Sequence, residues 1–161
     1  MVSKKLLTFI SFIIISLTSV NSSYSIEPDV FVQSTVNRAS QTLSSNLSKL
    51  EKIEKLKDIA KETVDIKGLG FYSLGGYRKT INEDQKKQYN ALFEKYFLKT
   101  FASRLAEYSN PEIEVKSKKK LNENYTIVSS TLVSTKQRPE VNIDWRIYTK
   151  NPDNLKIRDL I

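Results

Sequence analysis

The chain has no histidine and no cysteine among its 161 residues. The missing histidine removes the commonest general base and the commonest metal ligand. The missing cysteine excludes thiolate chemistry, conventional zinc sites and disulfides, so packing and hydrogen bonding must supply the stability. Glycine is scarce as well: Gly68, Gly70, Gly75 and Gly76 are the full set. Their spacing fits neither a phosphate-binding P-loop nor a dinucleotide fingerprint, and no G-x-S-x-G nucleophile elbow occurs. No catalytic residue, metal or cofactor is therefore assigned. An enzyme built from this chain would have to use Asp, Glu, Lys, Tyr or Ser, with Asp65 or Asp144 as a base in an apolar pocket.

What is present begins with an export signature. Lys4 and Lys5 precede an apolar run from Leu6 to Leu17, followed by small and polar residues from Thr18 to Ser25. Ser23 and Ser25 flank Tyr24 in the pattern a signal peptidase reads, which places the expected cleavage after Ser25. The apolar run falls short of the roughly 20 residues needed to span the hydrocarbon core, and no longer run follows. Residues 1–25 are thus expected to be a signal peptide. Residues 26–161 are expected to form one domain that is soluble outside the cytoplasm.

The formal charge is +8, of which Lys4 and Lys5 contribute two. A basic surface suits lipid headgroups, acidic proteins or nucleic acid without choosing among them. The lysines between Lys49 and Lys61 read as the solvated face of a helix. Lys116, Lys118, Lys119 and Lys120 read as a solvated hairpin end, with contact to phosphate headgroups or a partner complex as the alternative.

Periodicity divides the mature part in two. Val32, Val36, Ala39, Leu43 and Leu47 recur at helical spacing behind Pro28 and Asp29, which suit a first helical turn. Leu50, Ile53, Leu56, Ile59 and Ala60 mark a second helix. Asp65 caps a short third that runs to Leu74 and ends at Gly75 and Gly76. Asn82 and Gln85 form a capping box before the longest helix, whose wide apolar stripe carries Tyr89, Leu92, Phe93, Tyr96, Phe97, Phe101 and Leu105.

Ser109, Asn110 and Pro111 stop that helix, and the period changes to two. Ile113 and Val115 open a first strand, Tyr125 to Val133 supplies a second, and a fourth begins at Leu155. In the third, Val141, Ile143, Trp145 and Ile147 share one face while Asn142, Asp144, Arg146 and Tyr148 share the other. Helices followed by a meander predict a single-domain α+β fold, with the N-terminal helices packed on one face of a curved antiparallel sheet. The facing of Tyr125 to Val133 stays open because both alternating sets contain apolar residues. Asp144 is expected outside, in a surface ion pair rather than as a base.

Leu74 and Gly75, Tyr77, Gln85, Phe93, Tyr96 and Thr100, at this spacing, resemble the pattern of the periplasmic phospholipid-binding proteins called MlaC or toluene-tolerance proteins. Val141 to Ile147, with Ile143, Asp144, Trp145 and Arg146, is similar to the family's sheet segment. Leu155, Lys156 and Ile157 followed by Asp159 look like its next strand. Arg78 stands where the family often has an aromatic residue. The family also usually continues past the position of Ile161 through a Gly-containing segment and a helix, so this chain is expected to lack that segment.

The resemblance implies a non-enzymatic carrier that holds the acyl chains of a glycerophospholipid inside the domain and leaves the headgroup near solvent. Its implied partners are phospholipid, an outer-membrane lipoprotein complex and an inner-membrane ABC transporter complex, with no role for nucleic acid. Exposing two acyl chains of about 30 methylenes to water would cost on the order of 20 kcal/mol, so a carrier must shelter them. The residues expected to wall the shelter are Phe71, Leu74, Leu92, Phe93, Tyr96, Phe97, Ile143 and Trp145. The competing readings are a small exported enzyme and a basic secreted adaptor.

Overall fold

A computed structural model describes residues 25–136 and 138–161. Residues 1–24 of the expected signal peptide lie outside the described residues. Helix α1 (Pro28–Ser44) begins with Pro28 and Asp29 in its first turn and buries Val32, Val36 and Leu43. Leu47, which continues the apolar spacing, falls in the connection to α2 because the helix ends at Ser44.

Helix α2 (Lys49–Thr63) starts at a full capping box: the Ser48 side chain accepts from the Glu51 amide, and Glu51 accepts from the Ser48 amide. It buries Leu56 and Ala60, and its lysines point outward. Arg38 and Glu62 clamp α1 to α2 through paired hydrogen bonds of 2.7 and 2.5 Å.

The Asp65 carboxylate accepts from the Gly68 amide and so caps α3 (Ile66–Ser73). Gly75 then takes φ +54°, a left-handed conformation that glycine tolerates. A short 3₁₀ turn, Gly75–Lys79, extends the connection to α4 (Glu83–Leu105). Asn82 and Gln85 make both halves of the expected capping box. Gly70 lets α3 approach α4 closely, since a Cβ there would meet the Phe93 ring at 2.8 Å.

Strands β1 (Ile113–Asn122), β2 (Tyr125–Leu132), β3 (Val141–Tyr148) and β4 (Lys156–Leu160) form an antiparallel sheet in the order β1-β2-β3-β4. Its inner face carries the alternating set read from β3: Trp145 and Ile147 are buried. Register resolves the facing of β2, where Val128 lies opposite Trp145 and Ser130 opposite Ile143. Irregularities at Val115/Ser117 and Arg146/Ile147 interrupt the ladders, a means by which strands bend.

Helices and sheet join at two places. Val64 bridges Ile157 at the β4 edge, and the Asp65 amide donates to the Ile157 carbonyl at 2.9 Å. At the opposite edge, Lys118 of β1 donates to Glu27 and Asp29 at 2.7 Å each, and this bond holds the Asp29 carboxyl below its ordinary pKa. The main core joins Val32, Val36 and Ala60 of the helices to Val128, Trp145, Ile147 and Ile157 of the sheet. This is the α+β arrangement expected from the sequence.

Among the described residues no helix is long and apolar enough to cross a membrane. Leu56 is 1% exposed and Leu50 is 76% exposed on the same helix. Leu56→Ala should therefore cost about 2–5 kcal/mol of unfolding free energy, against less than about 0.5 kcal/mol for Leu50→Ala. Urea titration followed by circular dichroism measures both.

Candidate functional site

A cavity lies between the helical layer and the inner face of the sheet. Val36, Ala39 and Leu43 line it from α1, Leu56, Ile59 and Ala60 from α2, and Phe101 and Leu105 from α4. Ile113, Leu132, Ile143, Trp145, Ile157 and Leu160 line it from the sheet, with Tyr108 and Pro111 from the α4–β1 connection. The space open to the centre of a water molecule is about 180 Å³. At about 15 Å³ per site this is room for on the order of ten waters.

The position of the cavity follows from the helix sequences. Along the inward sides of α1 and α2, small residues such as Thr35, Ala39, Ser40, Ala60 and Thr63 alternate with larger aliphatics. Short side chains leave the two helices and the sheet unable to close completely. The wall is also chemically quiet. Thr35 Oγ1 donates to the Phe31 carbonyl at 2.8 Å, and Thr63 Oγ1 donates to the Ile59 carbonyl at 2.7 Å. Both hydroxyls are thereby turned into their own helices, leaving methyl groups for the cavity. The indole Nε1 of Trp145 donates to Ser130 Oγ at 2.7 Å.

Among the described residues no Asp, Glu, Lys or Arg lines the cavity. Among the described residues no group of three or more acidic side chains could hold a metal ion. The two carboxylates considered as bases are placed elsewhere. Asp65 caps α3 and pairs with Arg158, while Asp144 projects from the outer face of β3. Among the described residues Asp144 forms no ion pair, and Arg146 on the same face of β3 pairs with Asp159 at 3.3 Å.

Of the eight residues expected to wall a shelter, Ile143 and Trp145 line this cavity. Phe93 and Phe97 are half-buried against the main core in a stacked row with Tyr89 and Phe101, with centroid spacings of 5.9, 6.2 and 5.3 Å. That row reaches the cavity only through Phe101. Leu74 is half-buried at the C-terminal end of α3, and Phe71 lines a groove between α3 and α4 with Lys67, Lys86 and Lys87. Leu92 and Tyr96 are 68% and 66% exposed.

The α4 stripe is wider than one packed face, which explains the separation. Leu98 and Ala102 turn inward, the phenylalanines flank them, and Leu92 and Tyr96 fall on the far side. The α1 and α2 lining was legible only as helical periodicity. A clue lay in the small residues facing one another across those helices, but no short motif marks them.

Three of the four hairpin lysines are in ion pairs: Lys116 with Glu114, Lys118 with Glu27 and Asp29, and Lys120 with Glu123. They meet the chain's own carboxylates, as a solvated hairpin end would. Removing the hydroxyl in Ser130→Ala would strand the buried indole N–H, at a cost of about 1–3 kcal/mol. Urea unfolding reads that loss.

With this geometry in place, comparison adds two findings. The sequence model of the MlaC protein family matches residues 32–161. The fold is similar to that of a phospholipid-binding protein from Ralstonia solanacearum solved in complex with a phospholipid, with a TM-score of 0.68 and 18% sequence identity. That likeness covers 84% of this chain and 77% of the other. No curated protein matches the sequence.

Proposed function

The chain belongs to the MlaC family, and from that premise we propose that it is a lipid carrier which holds glycerophospholipid acyl chains between α1, α2 and the inner face of the sheet. The observation that carries this reading is the uncharged, hydrocarbon-lined cavity beside Trp145. An apolar space of this kind gains little from water and is filled favourably by hydrocarbon. The bound phospholipid of the Ralstonia solanacearum protein supports the same ligand class.

The size of the cavity sets a mechanical condition. Room for on the order of ten waters receives only part of two acyl chains of about 30 methylenes. Full loading therefore requires the helical layer to move. Helices α1 and α3 rest on the sheet, whereas α2 packs mainly on α1 and α4. Loading proceeds by α2 and α4 lifting away, which widens the cavity without breaking the sheet or the Val64–Ile157 bridge.

Sheltering each methylene offsets about 0.8 kcal/mol of exposure, which is the advantage a carrier has over free diffusion of the lipid. The chain is read as non-enzymatic, since its lining holds no acid or cation to act on an ester. It works in the periplasm after removal of residues 1–25. There it exchanges phospholipid between an outer-membrane lipoprotein complex and an inner-membrane ABC transporter complex.

Native mass spectrometry of the exported chain should show a co-purifying species of phospholipid mass. Protein free of any lipid after gentle purification, and still empty after incubation with phosphatidylglycerol vesicles, would overturn the reading. Ala39→Trp places an indole in the cavity and should lower lipid loading at least about tenfold, a cost of about 1.4 kcal/mol or more. Quantifying lipid per protein after solvent extraction checks this, with circular dichroism confirming the fold.

A further inference from the structure

Arg138 lies in the connection between β2 and β3, and its guanidinium carbon stands 4.7 Å from the centre of the Tyr108 ring. Tyr108 lines the cavity while remaining 37% exposed, so it marks the rim. The backbone of Arg138 is fixed there: the Thr135 amide donates to its carbonyl at 2.8 Å, and its own amide donates to the Thr135 carbonyl at 3.3 Å. An arginine thus stands over the ring of the most exposed aromatic of the lining.

Of the arginines without a carboxylate partner among the described residues, Arg78, Arg104 and Arg138, only Arg138 is half-buried. Arg38, Arg146 and Arg158 each have a carboxylate partner: Glu62, Asp159 and Asp65. Among the described residues no carboxylate pairs with Arg138, and its buried Nε, like that of Arg146, has no hydrogen-bond acceptor. Glu140 is near in sequence and the Glu112 carbonyl accepts from the Val133 amide, yet neither carboxylate pairs with Arg138. Cation–π contact with a ring uses none of the guanidinium N–H donors, so the terminal NH₂ groups remain able to donate. A buried donor without an acceptor is costly unless something supplies one.

We infer that Arg138 is a phosphate anchor at the cavity rim, held in place by Tyr108, that binds the phosphodiester of a glycerophospholipid whose acyl chains enter the cavity. The inference rests on the carrier reading above and assigns the headgroup its position. A lipid with tails against Val36 and Ile143 brings its phosphate to the rim, where the planar fork of an arginine matches two phosphate oxygens. The anchor reads the phosphate shared by all such lipids and leaves the group beyond it in solvent.

The test compares phosphatidylglycerol with diacylglycerol of the same acyl chains, offered together in vesicles to the exported chain, with loading read by native mass spectrometry. Wild type should prefer the phospholipid about tenfold or more, the scale of one charge-assisted contact. In Arg138→Gln the preference should fall to about one, and Arg138→Lys should retain part of it because it keeps the charge without the fork. Excess inorganic phosphate should leave the wild-type preference largely intact, since the tethered phosphate has the higher effective concentration.

An unchanged preference in Arg138→Gln would overturn the anchor while leaving the carrier reading in place. Abolition of the preference by inorganic phosphate would also overturn it, by making the site one for free phosphate. Failure of wild type to load either lipid would remove the carrier reading and the anchor together. Thermal melting of both variants separates loss of fold from loss of preference.

Discussion

One hydrocarbon-lined space left open between α1, α2 and the inner face of the sheet is the constraint on which the remaining structure turns. A domain without disulfides must fill its core to stay folded, yet here the facing small residues of α1 and α2 keep part of that core open. The open part survives because the layers are tied at their edges: Lys118 with Glu27 and Asp29 on one side, Val64 with Ile157 on the other. Those exposed ion pairs contribute modestly to stability. Their geometric effect is to hold α1 across the sheet.

The wall of the cavity shows the same constraint at the level of single atoms. Thr35 and Thr63 return their hydroxyls to their own helices, and Trp145 gives its N–H to Ser130. These three polar groups are satisfied by hydrogen bonds, and the wall of the cavity is mainly methyl and aromatic carbon. At Tyr108 the wall meets a cation, Arg138.

The elements were legible in the sequence because local chemistry states them. The Asn82–Gln85 box starts α4, Asp65 caps α3, and the alternation of Val141, Ile143, Trp145 and Ile147 defines the inner face of β3. The Ser48–Glu51 box at α2 is an equally local signal, visible once the strand and helix periods are set. The β2 facing needed register, since only pairing with β3 places Val128 opposite Trp145.

The site was legible in part. Ile143 and Trp145 follow from alternation, but the α4 stripe could not show which of its sides turns inward. Leu92 and Tyr96 carry the same apolar signal as Phe101, and only the packing of Leu98 and Ala102 against neighbouring helices separates them. The most direct measurement of the central claim is methyl NMR of the chain loaded with a phospholipid spin-labelled on its acyl chain. Strong paramagnetic broadening of the Leu56, Ile143 and Ile157 methyls is expected, with little effect on Leu92 and Leu50. Broadening concentrated at Leu92, with Leu56 and Ile143 untouched, would contradict it.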